Sequence, residues 1–429
     1  MNGTKLKPEK EMSGFVQICI FLFIALSPIQ DFFLQGTPLR SLGASPSLFP
    51  LLAIAVVSFT QWLIYGNLNV DRALLVCLVY VFLTTAYGFL YFGLTSHDQN
   101  MIWKSTTSFI SLALLVFAVS NIEYRINSVV RAGIYTAFGL VILGFCFSNA
   151  NPFGLPGLLE TRILHFTPVA DFRPRGLSSE PSEFSISAIT MGLLGVHLTR
   201  STIARIILFA VTAGLLVASG SKGGMLTLFF CAVVLCLIKW HSRWYHIVGI
   251  LLILLPFGAL FILMVVPNLF PEEVIATSGT IPTRFSMILC ALITVTRHPL
   301  GVGLSGFLPA VGAYLPSAMS TVQSFFAIPL YFEEVSQYQT SADMVSTKTF
   351  FFDQLIRFGI PFAFWFLIFI VRLLNRLVAQ RQWIIAIALM ASAIAVTTYI
   401  PTAGVYTVAI VFGVGLSEVR NATNISRGK

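Results

Sequence analysis

The sequence predicts an all-α polytopic membrane protein of about twelve transmembrane helices, and three observations lead to this fold class. Of the 429 residues, 56% are hydrophobic and only 10% are charged, a composition far from that of a soluble domain. Apolar runs of about 20 residues, the length needed to cross a ~30 Å hydrocarbon layer, recur along the whole chain. The runs do not alternate in polarity, so helices are expected rather than transmembrane strands.

The apolar runs define twelve expected spans within a single integral membrane domain over residues 1–429. The first run follows a basic start, as in a signal peptide. It lacks a small-residue cleavage pattern and many more spans follow, so we interpret it as a retained helix. The expected spans are 15–34, 46–65, 73–94, 104–120, 128–147, 181–199, 203–219, 223–239, 246–267, 350–371, 383–399 and 401–417.

Basic residues determine the expected orientation. With both termini in the cytoplasm, the inner segments carry 16 of the 26 lysines and arginines, whereas the short outer turns carry only Arg40, Lys104 and Lys222. This asymmetry is the positive-inside pattern, and it predicts a multi-pass protein with cytoplasmic termini. Basic inner loops facing anionic lipid also explain the net charge of +9, so no nucleic-acid partner is expected.

Two outer segments, 148–180 and 268–349, are too long to be simple turns, and both contain aromatic and aliphatic residues that can pack. In the second segment, apolar residues recur at helical spacing from Arg284 to Arg297. This spacing predicts a short amphipathic helix at the outer interface. The Pro-Leu-Gly-Val-Gly at 299–303 is expected to end that helix and to supply backbone that can approach a ligand closely.

Basic residues in these two outer segments depart from the positive-inside pattern. Solvated surface charge is one interpretation, because long outer loops tolerate basic residues. Phosphate binding is the other, because the rigid fork of arginine matches a phosphate or pyrophosphate in a bidentate manner. Arg173, Arg175 and Arg284 lie next to span ends, which favours the second interpretation. The six cysteines show no CxxC or Cys/His spacing and are interpreted as small core residues.

Three stretches share their pattern and their order with a known family. "RPRGLSSEPSEFSISAITMGLL" at 173–194 has an Arg, a Gly and a Glu-Pro entering a helix. "LLVASGSKGGMLTL" at 215–228 has a Ser-x-Ser hairpin between two spans, and "RFSMILCALITVTRHPLGVGLSGF" at 284–307 has an Arg-led short helix closed by Pro-Leu-Gly-x-Gly. Together they resemble the O-antigen polymerases and ligases.

Two departures from the family pattern bear on the choice between polymerase and ligase. Lys222 stands where the hairpin of the family usually has Arg, which keeps the charge but loses the bidentate geometry. The ligases carry a His-Asn pair about eleven residues before the Gly that follows the long loop. Here Lys348 and Thr349 stand at those positions before Gly359. The resemblance therefore favours a Wzy-type polymerase, with a ligase as the alternative, and His298 is interpreted first as structural.

The resemblance implies a GT-C-like glycosyltransferase that needs no metal and no cofactor. It would act at the periplasmic face of the bacterial inner membrane and polymerise undecaprenyl-pyrophosphate-linked oligosaccharides, as donor and acceptor, into O-antigen or a related surface polysaccharide. A chain-length regulator and a flippase are expected partners. No Asp-rich or His-rich metal motif is visible in the sequence.

The resemblance and the residue types together assign roles to individual side chains. Glu180, directly before Pro181 at a helix start, is the expected catalytic base or ligand of the acceptor hydroxyl. A purely structural role beside the helix dipole or an arginine is the alternative for this residue. Glu183, one turn on, is expected to share its face and is a secondary candidate with His298. The expected ligands of the pyrophosphate or its sugar are Arg173, Arg175, Lys222, Arg284 and Arg297.

A lipid-linked oligosaccharide flippase is the rival from a different class. A transporter of this kind predicts an internal repeat and broken helices with polar groups near the membrane midplane. No repeat between the two halves is visible, and the ionisable residues within the expected spans lie toward span ends. The sequence therefore favours an enzyme.

Overall fold

The computed structural model describes residues 14–30, 32, 45–65, 72–92, 128–147, 174–178, 180–240, 280–326, 329–340, 349–400 and 405–427. Within these ranges the chain forms α-helices joined by turns and contains no β-strand. The helices are α1 Gly14–Leu26, α2 Leu48–Tyr65, α3 Arg72–Phe92, α4 Ser128–Cys146, α5 Pro181–Leu198, α6 Thr202–Ala218, α7 Lys222–Trp240, α8 Thr280–Arg297, α9 Gly303–Ser324, α10 Glu333–Thr340, α11 Phe350–Ala379, α12 Trp383–Thr398 and α13 Val405–Arg427.

Ten of the twelve expected spans overlap helices, although α1 ends at Leu26 rather than near 34 and α13 runs ten residues past 417. The expected spans 104–120 and 246–267 lie outside the described residues. By length and apolar composition, α4 and α11 are long enough to cross a membrane. Helices α1, α6 and α12 and parts of α2 and α3 are apolar but shorter. The architecture is consistent with an α-helical membrane protein, and the number of twelve transmembrane helices stays a prediction.

The short helix expected at 284–297 is present as α8, which begins earlier, at Thr280. The same segment of the chain also holds α9, which has 22 residues and is longer than the short helices expected there. Pro309 and Pro316 lie inside α9, although an interior proline costs a helix about 3 kcal/mol. Apolar residues on one face of α9, such as Val311, pack into a core shared with α8 and outweigh that cost.

Most buried apolar side chains of the described helices belong to two cores. The larger core contains side chains of α1, α2, α4 to α7, α12, α13 and the second half of α11. Helices α5 and α12 pack against each other near its centre and are buried along almost their whole length. The smaller core is built by α8, α9, α10 and the first half of α11, with α3 packed against α9. Helix α11 therefore joins the two cores.

The expected tenth span is one continuous helix in the sequence analysis, but α11 breaks at Gly359. This glycine has φ 63° and ψ −158°, a conformation that L-residues with a side chain rarely adopt. The backbone groups released by the break are bonded by the turn after α8: the Ile360 N–H donates to the Pro299 carbonyl at 2.8 Å, and the Val302 N–H donates to the Ile356 carbonyl at 3.1 Å. The turn at 299–303 thereby fixes the direction change in α11.

The glycines of this turn approach protein backbone, which corrects the expectation that they approach a ligand. A Cβ on Gly301 would overlap the backbone around Gly359, and a Cβ on Gly303 would overlap the Thr84 carbonyl of α3. The Tyr80 hydroxyl of α3 lies 2.8 Å from the Leu300 carbonyl oxygen. The conformational freedom of these glycines therefore serves the close packing of α3, α9 and α11.

Candidate functional site

Arg284 lies in the second turn of α8, and its guanidinium points into a junction of several helices. One of its terminal nitrogens, Nη1, donates to the Thr398 carbonyl at the end of α12 at 3.3 Å, while its Nε has no hydrogen-bond partner among the described residues. Burial lowers the pKa of Arg284, and the electrostatic effects of Glu180, Glu334 and Tyr399 oppose that shift. An arginine remains protonated in such surroundings, so this junction holds a positive charge with unused donor capacity.

Glu180 is the exposed acid of the same junction. It is the residue before α5, in an extended conformation with φ −137° and ψ 153°, and Pro181 occupies the first helical position. Its side chain does not cap the helix; instead one carboxylate oxygen accepts from the Ser182 hydroxyl at 3.2 Å. The charge of Glu180 acts on the guanidinium of Arg284, so the two side chains belong to one electrostatic group.

Glu183 does not share the exposure of Glu180. It lies in the first turn of α5 and is only 2% exposed. Both Glu183 and Arg175 take part in interactions within the protein, as buried charges must. The expectation that the two glutamates face the same open space is therefore wrong, because Glu180 lies outside the helix and Glu183 lies inside it.

Arg175 is brought close to the start of α5 by a tight turn, but it is only 6% exposed. Gly176 has φ 57° and lies against the Phe184 ring, where a Cβ would overlap the ring carbons. The Leu177 carbonyl accepts from the Gln30 N–H, four residues after α1 ends, at 2.9 Å. The turn is thus fixed to α1 and α5, and Arg175 offers little open surface to a ligand. Arg173 lies outside the described residues.

The hairpin between α6 and α7 packs against the first turns of α5. The Ser221 hydroxyl donates to the Ser185 hydroxyl at 3.1 Å and accepts from the Gly224 N–H at 3.2 Å, so Ser221 caps α7. A Cβ on Gly224 would lie 2.7 Å from the Ser185 Cβ, and this close approach requires a glycine. Lys222 is the first residue of α7, directly after Ser221. The first two resembling stretches therefore meet in space.

Tyr399, which the sequence analysis missed, connects this hairpin to Arg284. Its hydroxyl accepts from the Thr227 hydroxyl of α7 at 3.2 Å and is hydrogen-bonded to Ser185 of α5. Its ring lies against Gly223, where a Cβ would be 3.0 Å from the ring carbons. A tyrosine at the end of an apolar run gave no signal in the sequence, since only the fold brings it to the other helices.

Glu334 was also missed, because α10 lies in a segment interpreted as loop. One of its carboxylate oxygens accepts from the Thr283 hydroxyl at 3.1 Å, and the other accepts from the Tyr338 hydroxyl at 2.9 Å. Its charge acts on Arg284, the next residue after Thr283. The signal available in the sequence was the acidic pair Glu333 and Glu334. We call Glu180, Ser185, Arg284, Glu334 and Tyr399 the interhelical site.

The two other residues singled out in α8 and the turn after it lie away from the interhelical site. Arg297 is 13 residues beyond Arg284, which corresponds to about 20 Å along a helix. Its guanidinium lies over the Tyr314 ring, 5.3 Å from the centroid. His298 is buried, and its Nε2 lies 2.8 Å from the Tyr314 hydroxyl. The side chains of Lys222 and Lys348 lie outside the described part of the structure.

The side chains of the interhelical site have the chemistry to bind an anion and a hydroxyl group. The site combines a partly buried guanidinium, an exposed carboxylate and several hydroxyl groups, all positioned by helix ends and turns. Among the described residues, no three His, Cys, Asp or Glu side chains are close enough to share a metal ion. The described cysteines Cys19, Cys146, Cys231 and Cys290 have free thiols.

The structure thus defines a class of protein. It is helical and apolar in composition, and it holds a charged and polar site where helices meet. Comparison with known proteins gives the relationship in more detail. The sequence pattern of the O-antigen ligase family (Wzy_C) matches residues 207–367, which include the α6–α7 hairpin and α8 to α10. The chain is also 26% identical, over 377 residues, to a Klebsiella pneumoniae protein described as "Uncharacterized 49.5 kDa protein in cps region". The alignment covers 84% of this chain and 82% of that protein.

These two similarities support a relationship to the O-antigen polymerase and ligase family as a whole. The matched family region contains Lys222, Arg284 and Glu334 and ends within α11. The matched region does not include the stretch at 173–194. Glu180 is therefore assigned to the site because of its position in the fold and not because of the family match.

Proposed function

We propose that this chain is a membrane glycosyltransferase of surface-polysaccharide biosynthesis that polymerises undecaprenyl-pyrophosphate-linked repeat units at the periplasmic face of the inner membrane. The observation that carries the proposal is the convergence, at one junction, of the exposed Glu180 and the guanidinium of Arg284. The two residues come from separate stretches that resemble the same family. The family match and the cps-region relative support the class of product.

The reaction assigned to the site is a displacement at the anomeric carbon of the donor. A hydroxyl oxygen of the acceptor sugar forms a new bond to that carbon, and the bond from the carbon to the pyrophosphate oxygen breaks. The bonding electron pair leaves with the pyrophosphate, and the hydroxyl proton goes to a base. Undecaprenyl pyrophosphate is released, and the acceptor carries the lengthened glycan. The pyrophosphate is a good leaving group, so the protein has to hold that anion and accept one proton.

Arg284 stabilises the charge that develops on the leaving pyrophosphate. Its unbonded Nε and its remaining N–H groups can donate to phosphate oxygens, and its partial burial strengthens that interaction relative to water. Glu180 accepts the proton of the attacking hydroxyl, because it is the carboxylate of the junction that a ligand can reach. Glu334 has both carboxylate oxygens engaged by Thr283 and Tyr338, so it acts on Arg284 as a positioning residue.

A ligase is the second candidate, since the matched family is described as O-antigen ligase. Polymerase is favoured because Lys348 and Thr349 replace the His-Asn pair that the resemblance leads one to expect in a ligase. The two functions differ in what a loss-of-function variant accumulates. A polymerase variant leaves single repeats on the surface acceptor, whereas a ligase variant leaves the acceptor bare and accumulates lipid-linked polymer.

The test uses a strain that lacks the chromosomal gene and expresses tagged variants. Glu180→Gln, nearly isosteric but unable to take up the proton, is expected to reduce polymer at least ~100-fold, because loss of a general base costs about 10²–10⁴ in rate. Arg284→Ala is expected to abolish polymer, and Arg284→Lys should rescue poorly because a point charge replaces the fork. Gel profiles of the polysaccharide and blots of the membrane fraction are the readouts.

Matched control variants distinguish a loss of catalysis from a failure of membrane insertion or a general effect of removing a charge. Glu333→Gln removes an exposed carboxylate of the same region, and Arg200→Ala removes an exposed arginine outside the site. Both should give full-length polymer. Normal chains from Glu180→Gln would exclude this residue as the base. Normal chains from both site variants would overturn the proposed function, and a bare acceptor with lipid-linked polymer would assign the protein as a ligase.

A further inference from the structure

A second group of aromatic and basic side chains lies at the far end of α8. Arg297 is exposed and lies over the Tyr314 ring, with which it also shares a hydrogen bond. The Tyr314 hydroxyl contacts Nε2 of the buried His298 at 2.8 Å, and Nδ1 of the same ring lies 3.5 Å from the Tyr87 hydroxyl. His298 therefore holds a tyrosine of α9 and a tyrosine of α3 in place beside Arg297.

The outward-facing part of this group is aromatic. Tyr87 is 42% exposed and Tyr91 is 56% exposed, with their ring centroids 5.7 Å apart. The Tyr91 ring meets the His298 ring edge to face at 4.9 Å. Tyrosines fixed in this way present ring faces and hydroxyls with little conformational entropy to lose on binding. We call Tyr87, Tyr91, Arg297 and Tyr314 the tyrosine–arginine patch.

An exposed apolar stripe of α3 leads to the patch. Val76, Val79 and Leu83 are large, exposed and spaced at three to four residues, and Tyr87 continues the same spacing. A hydrocarbon chain lying along this stripe would bring its polar end to Arg297. The exposed apolar residues of α3 thus lead to the aromatic rings, and the guanidinium of Arg297 on α8 lies beside those rings, so a lipid chain on the stripe would have its polar part at the patch.

The reaction proposed above requires two lipid-linked molecules at once. The acceptor reacts through a hydroxyl at the glycan end remote from its own pyrophosphate, and its pyrophosphate–lipid bond stays intact. That second pyrophosphate must lie about one repeat unit from the reacting centre. Arg297 stands about 20 Å from Arg284 along α8, a single continuous helix that fixes the separation.

We propose that the tyrosine–arginine patch binds the pyrophosphate and first sugar of the lipid-linked acceptor, while Arg284 holds the pyrophosphate of the donor. Arg297 pairs with the phosphate oxygens, and the tyrosine rings pack against the sugar and the start of the lipid. The patch binds without taking part in bond breaking. This inference rests on the proposed function. It gives the protein two binding sites for lipid-linked pyrophosphate, one for the donor and one for the acceptor.

The binding test uses the purified full chain in detergent with undecaprenyl pyrophosphate as the probe, and native mass spectrometry to count bound molecules. Wild type should retain two molecules, and Arg297→Ala and Arg284→Ala should each retain one. Tyr91→Ala, which removes an exposed ring, should weaken the second binding event about tenfold or more. Arg200→Ala, an exposed arginine outside both sites, should still bind two. Thermal unfolding of each variant checks that it is folded.

Phosphatidylglycerol in the same assay separates a specific site from ordinary lipid headgroup contact. Wild type should keep two molecules of undecaprenyl pyrophosphate when phosphatidylglycerol is in tenfold excess. Loss of the second molecule to phosphatidylglycerol, or two molecules retained by Arg297→Ala, would overturn the acceptor site. The count involves no turnover, so it is independent of the polymer assay. Failure of the polymerase proposal appears as normal chains from Glu180→Gln and Arg284→Ala, which is a different result.

Discussion

Two carboxylates three residues apart meet different surroundings at the start of α5. Glu180 lies before the helix in extended backbone, where solvent can reach it, and Glu183 is enclosed by the larger core. The i, i+3 spacing relates side chains only when both residues are helical. Because Pro181 marks the first helical position, the boundary falls between the two acids. Glu180 is therefore the member of the pair that a ligand can reach, as the proposed proton transfer requires.

A single residue, His298, makes the stability of the protein depend on pH. Burial and the neighbouring Arg297 lower the pKa of His298 below its value in the unfolded chain, which is about 6.5. The unfolded state then binds more protons in this range, so the contribution to stability is complete above about pH 6.5 and decreases as the pH falls below it. We expect a lower unfolding temperature at pH 5.5 than at pH 7.5, measured by thermal unfolding in detergent.

Replacing the imidazole tests that assignment. His298→Asn keeps a polar side chain that does not titrate, so the difference between the two pH values should shrink, although the variant is less stable at both. His197→Asn is the matched control, since His197 lies elsewhere, 3.3 Å from Glu418, and leaves the His298 contacts intact. An unchanged pH difference in His298→Asn would mean that other groups produce the effect.

Among the elements, α8 was predictable and α9 was not, for a physical reason. The amphipathic spacing from Arg284 to Arg297 is a local signal, and both ends of that helix carry a charge. The sequence of α9 contains two prolines and three glycines, which are local signals against a helix. Its helical state depends on packing against α3, α8 and α11, and such tertiary contacts cannot be read from the segment alone.

The break in α11 is the element-scale feature with the clearest energetic consequence. Gly359→Ala would place a Cβ at φ 63° and against the Pro299 carbonyl oxygen. Backbone strain of this kind costs on the order of 1–3 kcal/mol before the steric overlap is counted. We expect a large fall in the unfolding temperature and in the amount of folded protein recovered from membranes.

Gly312→Ala in α9 is the control for that substitution. A Cβ there meets no atom within 4 Å, and the residue is helical, so alanine should be neutral or stabilise the protein by up to about 1 kcal/mol. The comparison thus distinguishes the effect of position 359 from the general effect of replacing glycine by alanine. If Gly359→Ala unfolded at the same temperature as Gly312→Ala, the turn at 299–303 would not be clamping α11 as described.

Across the whole molecule, the sequence predicted the helical architecture more completely than it predicted the site. Apolar run length locates a span without knowledge of its neighbours, which is why ten expected spans overlap helices. The site needed more. Tyr399 reaches Arg284 because α12 ends beside α8, and Glu334 reaches it because α10 lies beside α8. Arg297 lies too far along α8 to belong to the interhelical site.

Orientation in the membrane is the prediction that tests the molecule as a unit. The distribution of basic residues predicts that α10 lies outside and that the turn between α5 and α6 lies inside. Ser336 of α10 and Ser201 of that turn are both exposed, so either position can report accessibility as a cysteine. Ser336→Cys should react with an impermeant maleimide in cells whose outer membrane alone is permeable, and Ser201→Cys should react only after the inner membrane is opened. The parent protein, with its own cysteines, provides the background. Labelling in the opposite order would place Glu180 and Arg284 on the cytoplasmic side, where a polymerase acting on exported lipid-linked repeats could not work.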